Sequence, residues 1–189
     1  MLGRVVIGAA AATIAMFVIG FIFFATPLAR LGSASLDDTQ AAAVQQALAA
    51  NLPHTGTYFV PDPDGSAAQT VMYGQGPIAT VHYNIGGFAA MDSGALIGGL
   101  ALNFIVALLI GLALGFVADS AVRVRLAVLF PLGATIFGHL GRPVYYHHDW
   151  ANAVYAFVAD TTMLVVAGLI LAWFLPSVRG APADMPTDV

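Results

Sequence analysis

Hydrophobic residues run in four long stretches along this chain, and polar or mixed segments separate them. A helix needs roughly 20 apolar residues to cross roughly 30 Å of hydrocarbon. The pattern therefore predicts four transmembrane helices, within residues 1–27, 94–118, 126–142 and 151–175. The expected fold is an all-α membrane bundle of four helices, with a small α+β extracytoplasmic insertion at residues 28–93, between the first two helices.

Two of these stretches carry features that qualify the prediction. Arg4 before the first stretch and the small residues Gly32-Ser33-Ala34 after it would also fit a cleaved secretory signal. The apolar core of a signal is roughly 7 to 15 residues, so the longer run here favours an uncleaved anchor. The third stretch is bracketed by Arg125 and Arg142. It is predicted to be short, with both arginines reaching to the interfaces and Pro131 kinking its helix.

The segment at 28–93 is too apolar for a linker and is expected to fold. Ser35, followed by Asp38, indicates a helix start, and apolar residues then recur at helical spacing up to Pro53. Residues 57–60 and 78–85 are predicted strands, with turn residues between them. One helix with two or three strands makes a cap that is too small to be stable away from the bundle.

Arginine placement predicts how the chain is threaded. With a cytoplasmic amino terminus, four arginines lie inside and two outside, namely Arg4, Arg123, Arg125 and Arg179 against Arg30 and Arg142. We therefore expect both termini in the cytoplasm and the 28–93 cap in the periplasm of a bacterium. Residues 176–189 lack apolar periodicity and are predicted to form a disordered cytoplasmic tail.

Composition narrows the classes of function. The chain is 59% hydrophobic and 8% charged, and it lacks Lys, Glu and Cys, which is typical of an integral membrane protein of a GC-rich bacterium. Missing cysteines exclude disulfide relays and Cys-ligated metal sites. A net charge of −4 offers no basic surface for nucleic acid. The lipid bilayer is the expected partner, with another membrane protein or a second copy as candidates, and we expect no cofactor.

Asp160 is the most informative polar residue, because it interrupts the fourth apolar stretch. A carboxylate in mid-membrane costs a few kcal/mol and usually points at protein or water. Asn103 lies at a similar depth on its own helix, and Thr135 and His139 lie nearer the outer surface, so all four residues form a predicted buried polar site in the outer half of the bundle. The site is either a proton or solute site, or a structural hydrogen bond in which Asp160 is protonated and bonded to Asn103 or a backbone carbonyl. The structural interpretation is favoured.

A second candidate is the loop before the fourth helix. His139, His147, His148 and Asp149 could ligate a divalent metal, although adjacent histidines cannot both face one ion from a regular strand. The same loop carries Arg142, Tyr145, Tyr146 and Trp150, which are residue types of a membrane interface belt. The belt is the favoured interpretation.

Two short segments carry a resemblance to known proteins. Gly56-Thr57-Tyr58-Phe59-Val60-Pro61 and Gly76-Pro77-Ile78-Ala79 resemble segments of an uncharacterised family of bacterial four-span inner-membrane proteins with a periplasmic domain after the first helix. The resemblance implies this layout and no activity.

Three classes of function follow from these features. The favoured one is a non-enzymatic accessory or assembly subunit. The first alternative is a small transporter-like protein with a proton or solute site at Asp160 and Asn103. The second is a metal-dependent membrane enzyme that uses His139, His147, His148 and Asp149.

Overall fold

The computed structural model describes residues 2–176, which are mostly helical with one small sheet. The described residues divide into two compact units, one of residues 2–33 with 93–176 and one of residues 34–92. The first unit contains α1 (Leu2–Phe24), a 3-10 helix (Pro27–Gly32), α4 (Ser93–Gly115), α5 (Ser120–Thr135), a π-helical segment (Ile136–Leu140), α6 (Gly141–Tyr146) and α7 (Trp150–Phe174). The second contains α2 (Asp38–Asn51), β1 (Gly56–Val60), α3 (Ala67–Gln75) and β2 (Ala79–Tyr83).

Four helices of the first unit are long and apolar enough to cross a membrane, as the sequence predicts. Three of them, α1, α4 and α7, span 23, 23 and 25 residues. The remaining candidate, which is the third span in chain order, runs continuously over Ser120–Tyr146, through α5, the π-helical segment and α6. These lengths identify a multi-pass membrane protein.

The third span is longer than the sequence predicts. It covers 27 residues, whereas the prediction ended it at the flanking arginines. Arg125 and Arg142 instead lie inside the continuous helix. The helix begins at Ser120 because the side chain of Asp119 accepts hydrogen bonds from backbone N–H groups of its first turn.

The carboxylate of Asp119, which caps α5, is also stabilised electrostatically. It accepts from the backbone N–H groups of Val122 at 3.0 Å and Ala121 at 2.7 Å. These bonds hold the pKa of Asp119 below its ordinary value, and the charges of Arg125 and Arg123 lower the pKa further.

The four candidate spans run alternately up and down. The side chain of Asn152, at the start of α7, donates to the carbonyl of Gly32, just after α1, at 2.8 Å. Arg123, at the start of α5, donates to the carbonyl of Val117 after α4 and to that of Pro176 after α7, at 2.5 and 2.9 Å. The end of α1 and the start of α7 therefore share one end of the unit, and the α4–α5 junction and the end of α7 share the opposite end.

Arg123 is a structural residue of that second end. It is only 3% exposed, so its guanidinium is withdrawn from solvent. Its two hydrogen bonds satisfy carbonyls that follow the ends of α4 and α7, which have no partner inside their own helices. Arg123, one of the arginines used to predict the threading, therefore also links α5 to the segments that follow α4 and α7.

Small side chains let these helices approach closely. A Cβ atom added to Gly168 on α7 would lie 2.9 Å from the Cβ of Ala127 on α5. A Cβ added to Gly111 on α4 would lie 2.9 Å from side-chain atoms of both Leu171 and Val5. The buried cluster combines alanines with a few larger side chains, namely Ala9, Ala12, Ala107, Ala127 and Ala167 with Val5, Met16, Leu114, Leu171 and Leu175. Such packing is typical of helices that associate in lipid.

The 34–92 unit contains the two predicted strands and one helix more than predicted. β1 and β2 are antiparallel, with Tyr58 opposite Val81. Asp37, rather than Ser35, caps α2, and it shares a reciprocal capping box with Gln40. The additional helix, α3, lies where turn residues were expected and is capped by the side chain of Ser66.

Solvent exposure is high throughout this second unit. None of residues 34–92 is buried, and apolar side chains such as Phe59, Val71 and Ile85 are 48%, 60% and 67% exposed. The unit therefore has a hydrogen-bonded framework but no closed hydrophobic core.

Candidate functional site

The polar site of the helical unit is built on a pair formed by His139 and Asp160. The Nε2 atom of His139 lies 2.7 Å from a carboxyl oxygen of Asp160. His139 belongs to the π-helical segment of the third span, and Asp160 lies roughly 15 Å along α7 from its first residue, at about 1.5 Å per residue. The pair thus joins two neighbouring helices near the middle of α7.

A second contact between the same helices lies beside this pair. The hydroxyl oxygens of Thr135 and Thr161 are 2.6 Å apart. The Thr135 hydroxyl also lies 2.8 Å from the carbonyl oxygen of Pro131, which can only accept. Because a hydroxyl has one proton, Thr135 donates to Pro131 and accepts from Thr161. The two interhelical contacts together fix the register of α7 against the third span.

The contacts of Thr135 and His139 lie on one face of the third span. The two residues are four apart, a spacing that places side chains on the same side of a helix. Thr135 ends α5 immediately before this segment, and His139 lies within it. Both side chains face α7, where their partners Thr161 and Asp160 are adjacent in sequence.

The Asp160 carboxyl group is only partly enclosed. Its side chain is 37% exposed, whereas that of His139 is 16% exposed. Within the described part of the chain, His139 is the only side chain that contacts the carboxyl group through a hydrogen bond or ion pair. The carboxyl group can therefore accept a further hydrogen bond from a neighbouring molecule at this depth.

Three of the four predicted site residues come together, and the fourth does not join them. Asp160 and His139 are paired, and Thr135 lies in the neighbouring contact. Asn103 is half-buried on α4, and no hydrogen bond joins it to Asp160 among residues 2–176. The expected partner of the acid, an amide or a backbone carbonyl, is thus replaced by an imidazole.

The four candidate metal ligands are not assembled into one site. His139 contacts Asp160, while the ring of His148 lies 5.9 Å from that of Tyr146. Asp149 caps α7 by accepting from the backbone N–H of Asn152 at 2.8 Å. His147, with a φ of 56°, ends α6 in the left-handed conformation. Within residues 2–176, no group of three His or Asp side chains could hold a metal ion.

The predicted interface residues are exposed at the end of the unit where α7 begins. Tyr145, Tyr146 and Trp150 are 69%, 58% and 55% exposed, and Arg142 on α6 is exposed as well. Large amphipathic side chains at a helix end are typical of a membrane–water boundary.

Sequence reasoning missed a groove at this same end. It has a volume of about 550 Å³ and lies among the end of α1, the 3-10 helix and the first turns of α7. The hydroxyl of Tyr155 donates to the carbonyl of Phe23 at 2.5 Å, which helps to fix its wall. The sequence held no signal for it, because a groove between helices depends on how the helices pack.

Searches against protein-family models, curated proteins and solved structures found no match to this chain.

Proposed function

We propose that this protein is a non-enzymatic accessory or assembly subunit of a bacterial inner membrane, which binds a partner through the face of the helical unit around Asp160. In this proposal both termini lie in the cytoplasm and residues 34–92 lie in the periplasm. The short motifs at residues 56–61 and 76–79, which resemble the uncharacterised four-span family, are in keeping with this layout.

The distribution of arginines supports the threading. Among residues 2–176, Arg123 and Arg125 lie at the same end of the unit as Arg4. Arg123 bonds to Pro176 after α7, and α7 begins at the end of the unit where α1 finishes. Arg30 and Arg142 lie toward the other end. The excess of arginine at the first end supports a cytoplasmic location for that end.

One observation carries the proposal: the Asp160 side chain is 37% exposed near the middle of an apolar helix. An acid that faces lipid at this depth is costly, so such residues face protein or water. His139 satisfies one oxygen and leaves an acceptor available. A hydrogen-bond donor on a neighbouring membrane helix would satisfy it, which is the kind of contact that joins helices in lipid.

The test compares Asp160→Leu with a matched change nearby. Thr162→Val is the control, because the Thr162 hydroxyl already donates to the Val158 carbonyl of its own helix at 2.7 Å. Each protein is solubilised in mild detergent, and the mass of the purified complex is measured. We expect a stoichiometric partner with the wild type and with Thr162→Val, and its loss with Asp160→Leu. A wild-type protein that purifies as a lone monomer would contradict the proposal.

A second candidate function is a small transporter-like protein with a proton or solute site. The His139–Asp160 pair favours it, because an imidazole and a carboxyl group 2.7 Å apart can share and release a proton. The adjacent π-helical segment is a feature often found at functional sites.

Proton flux into vesicles that contain the purified protein separates the two candidates. Asp160→Asn should abolish flux if the pair carries protons. Flux that is absent from the wild type, or unchanged by the substitution while thermal stability falls, would leave the pair a structural role.

A further inference from the structure

The groove at the start of α7 has the form of a site for a single hydrocarbon chain. Phe23 of α1 forms one side, and Leu28 and Leu31 of the 3-10 helix form the second. On α7, every fourth residue from Trp150 lines the floor, namely Trp150, Val154 and Val158. In a 3-10 helix, residues three apart are eclipsed, so Leu28 and Leu31 present one continuous apolar edge.

The walls of the groove are held in place by specific contacts. Tyr155 and Asn152 on α7 donate hydrogen bonds to the carbonyls of Phe23 and Gly32, at 2.5 and 2.8 Å. Gly32 packs directly on the Tyr155 ring, where an added Cβ would lie 2.7 Å from a ring carbon. The 3-10 helix is therefore fixed across α7, and the groove needs no rearrangement to admit a ligand.

Size and polarity decide what can fill it. Eight residues line the groove, whereas a stable protein interface takes roughly 20 to 30 residues a side. All eight side chains are hydrophobic or aromatic, and the Tyr155 hydroxyl is already bonded to Phe23. Besides the Tyr155 hydroxyl, the indole N–H of Trp150 is the one polar side-chain group among them, so a polar solute would leave most of its hydrogen bonds unmade. A protein partner would need a larger surface.

Charge next to the groove identifies the class of lipid. Arg30 is exposed on the 3-10 helix, between Leu28 and Leu31 of the groove wall. A phospholipid combines an anionic phosphate at the membrane surface with apolar chains beneath it, which is the complement of this arrangement. We propose that the groove binds one acyl chain of an anionic phospholipid, with Arg30 at its headgroup. This proposal rests on the membrane-spanning helices and not on the accessory role.

Tryptophan fluorescence can test this site, because the chain has two tryptophans. Trp150 lines the groove, and Trp173, 81% exposed, lies near the other end of α7. Trp173→Phe leaves only the groove reporter, and Trp150→Phe leaves only the distant one. Each protein is placed in vesicles that contain a small fraction of phosphatidylglycerol brominated on its acyl chains, and quenching gives the lipid composition around each ring.

We expect brominated phosphatidylglycerol to be enriched about fivefold at Trp150, from the contribution of one arginine near the membrane surface. At Trp173 it should match its bulk fraction. Val154→Phe, which fills the groove, should return Trp150 to the bulk value. Val6→Phe is the matched control, because Val6 on α1 is exposed to a similar degree, 41% against 47% for Val154.

Arg30→Gln tests the headgroup separately. It should reduce enrichment of the brominated anionic lipid to that of brominated phosphatidylcholine. Equal enrichment of the two lipids in the protein with Arg30 would overturn the assigned headgroup contact. Quenching at Trp150 that follows the bulk composition, or enrichment that survives Val154→Phe, would overturn the groove site. Quenching below the bulk value, with Val154→Phe converting a dimer to a monomer, would assign the groove to a second copy instead.

Discussion

The contact between His139 and Asp160 should couple the third span to α7 energetically. We consider His139→Ala, Asp160→Ala and the double substitution, compared in a double-mutant cycle. The 2.7 Å contact involves a group that can be charged, and such hydrogen bonds contribute about 1.5–3 kcal/mol. Two features reduce this value. The Asp160 side chain is 37% exposed, and helices separated in a membrane find other partners, so that measured membrane cycles average about 0.6 kcal/mol.

We therefore expect a coupling free energy of about 1 kcal/mol between the two positions. Asp160→Ala alone should lower the free energy of unfolding by less than this coupling, or even raise it, because the substitution also removes a costly acid from an apolar helix. The cycle isolates the contact, because that solvation term is present in both the single and the double substitution.

The assay is reversible unfolding in mixed micelles with increasing denaturing detergent, followed by circular dichroism. A parallel cycle of Asp160→Ala with Thr162→Ala serves as the control, because Thr162 donates to the carbonyl of Val158 on its own helix. That cycle should show no coupling. If the His139–Asp160 coupling is below about 0.3 kcal/mol, the two effects are additive within error and the contact does not stabilise the bundle.

Three further outcomes follow from local geometry. Gly168→Ala should lower the free energy of unfolding by about 1–3 kcal/mol, because the added methyl group meets Ala127, whereas Gly133→Ala, with nothing within 4 Å, should not destabilise. Both are measured by the same detergent titration. The lowered pKa of Asp119 stabilises the fold above the ordinary aspartate value of about 3.9, and this contribution is lost as pH falls through the lower folded value. The stability difference between wild type and Asp119→Asn should therefore shrink on acidification. A difference that stays constant with pH would refute a stabilising role for the Asp119 charge. A fragment of residues 34–92 should show no cooperative thermal transition by circular dichroism, because none of its residues is buried.

The candidate membrane helices could be predicted because the relevant property is local. Transfer of about 20 consecutive apolar residues into lipid depends on composition along the chain, not on which residues meet. The predicted strands also appear, at Gly56–Val60 and Ala79–Tyr83.

The errors in these elements have local causes as well. The third span was predicted too short because its arginines were treated as boundaries, yet Asp119 starts the helix ahead of them. The helix α3 was missed because Gly and Pro flank it closely, and turn residues outweighed the single capping residue Ser66.

The depth of Asp160 came from sequence, but its partner did not. Counting residues placed the acid level with Asn103 and in the same half of the bundle as Thr135 and His139, because an α-helix rises by a fixed amount per residue. Which of these it contacts depends on how the helices are rotated about their axes, and no single helix contains that information. His139 and Thr135 both face α7 in the folded chain, and close packing at Gly168 brings α5 against α7. The sequence by itself determined that this chain carries an acid at mid-span. Only tertiary packing decided that the imidazole of His139 contacts one carboxyl oxygen and leaves the acid able to accept a further hydrogen bond.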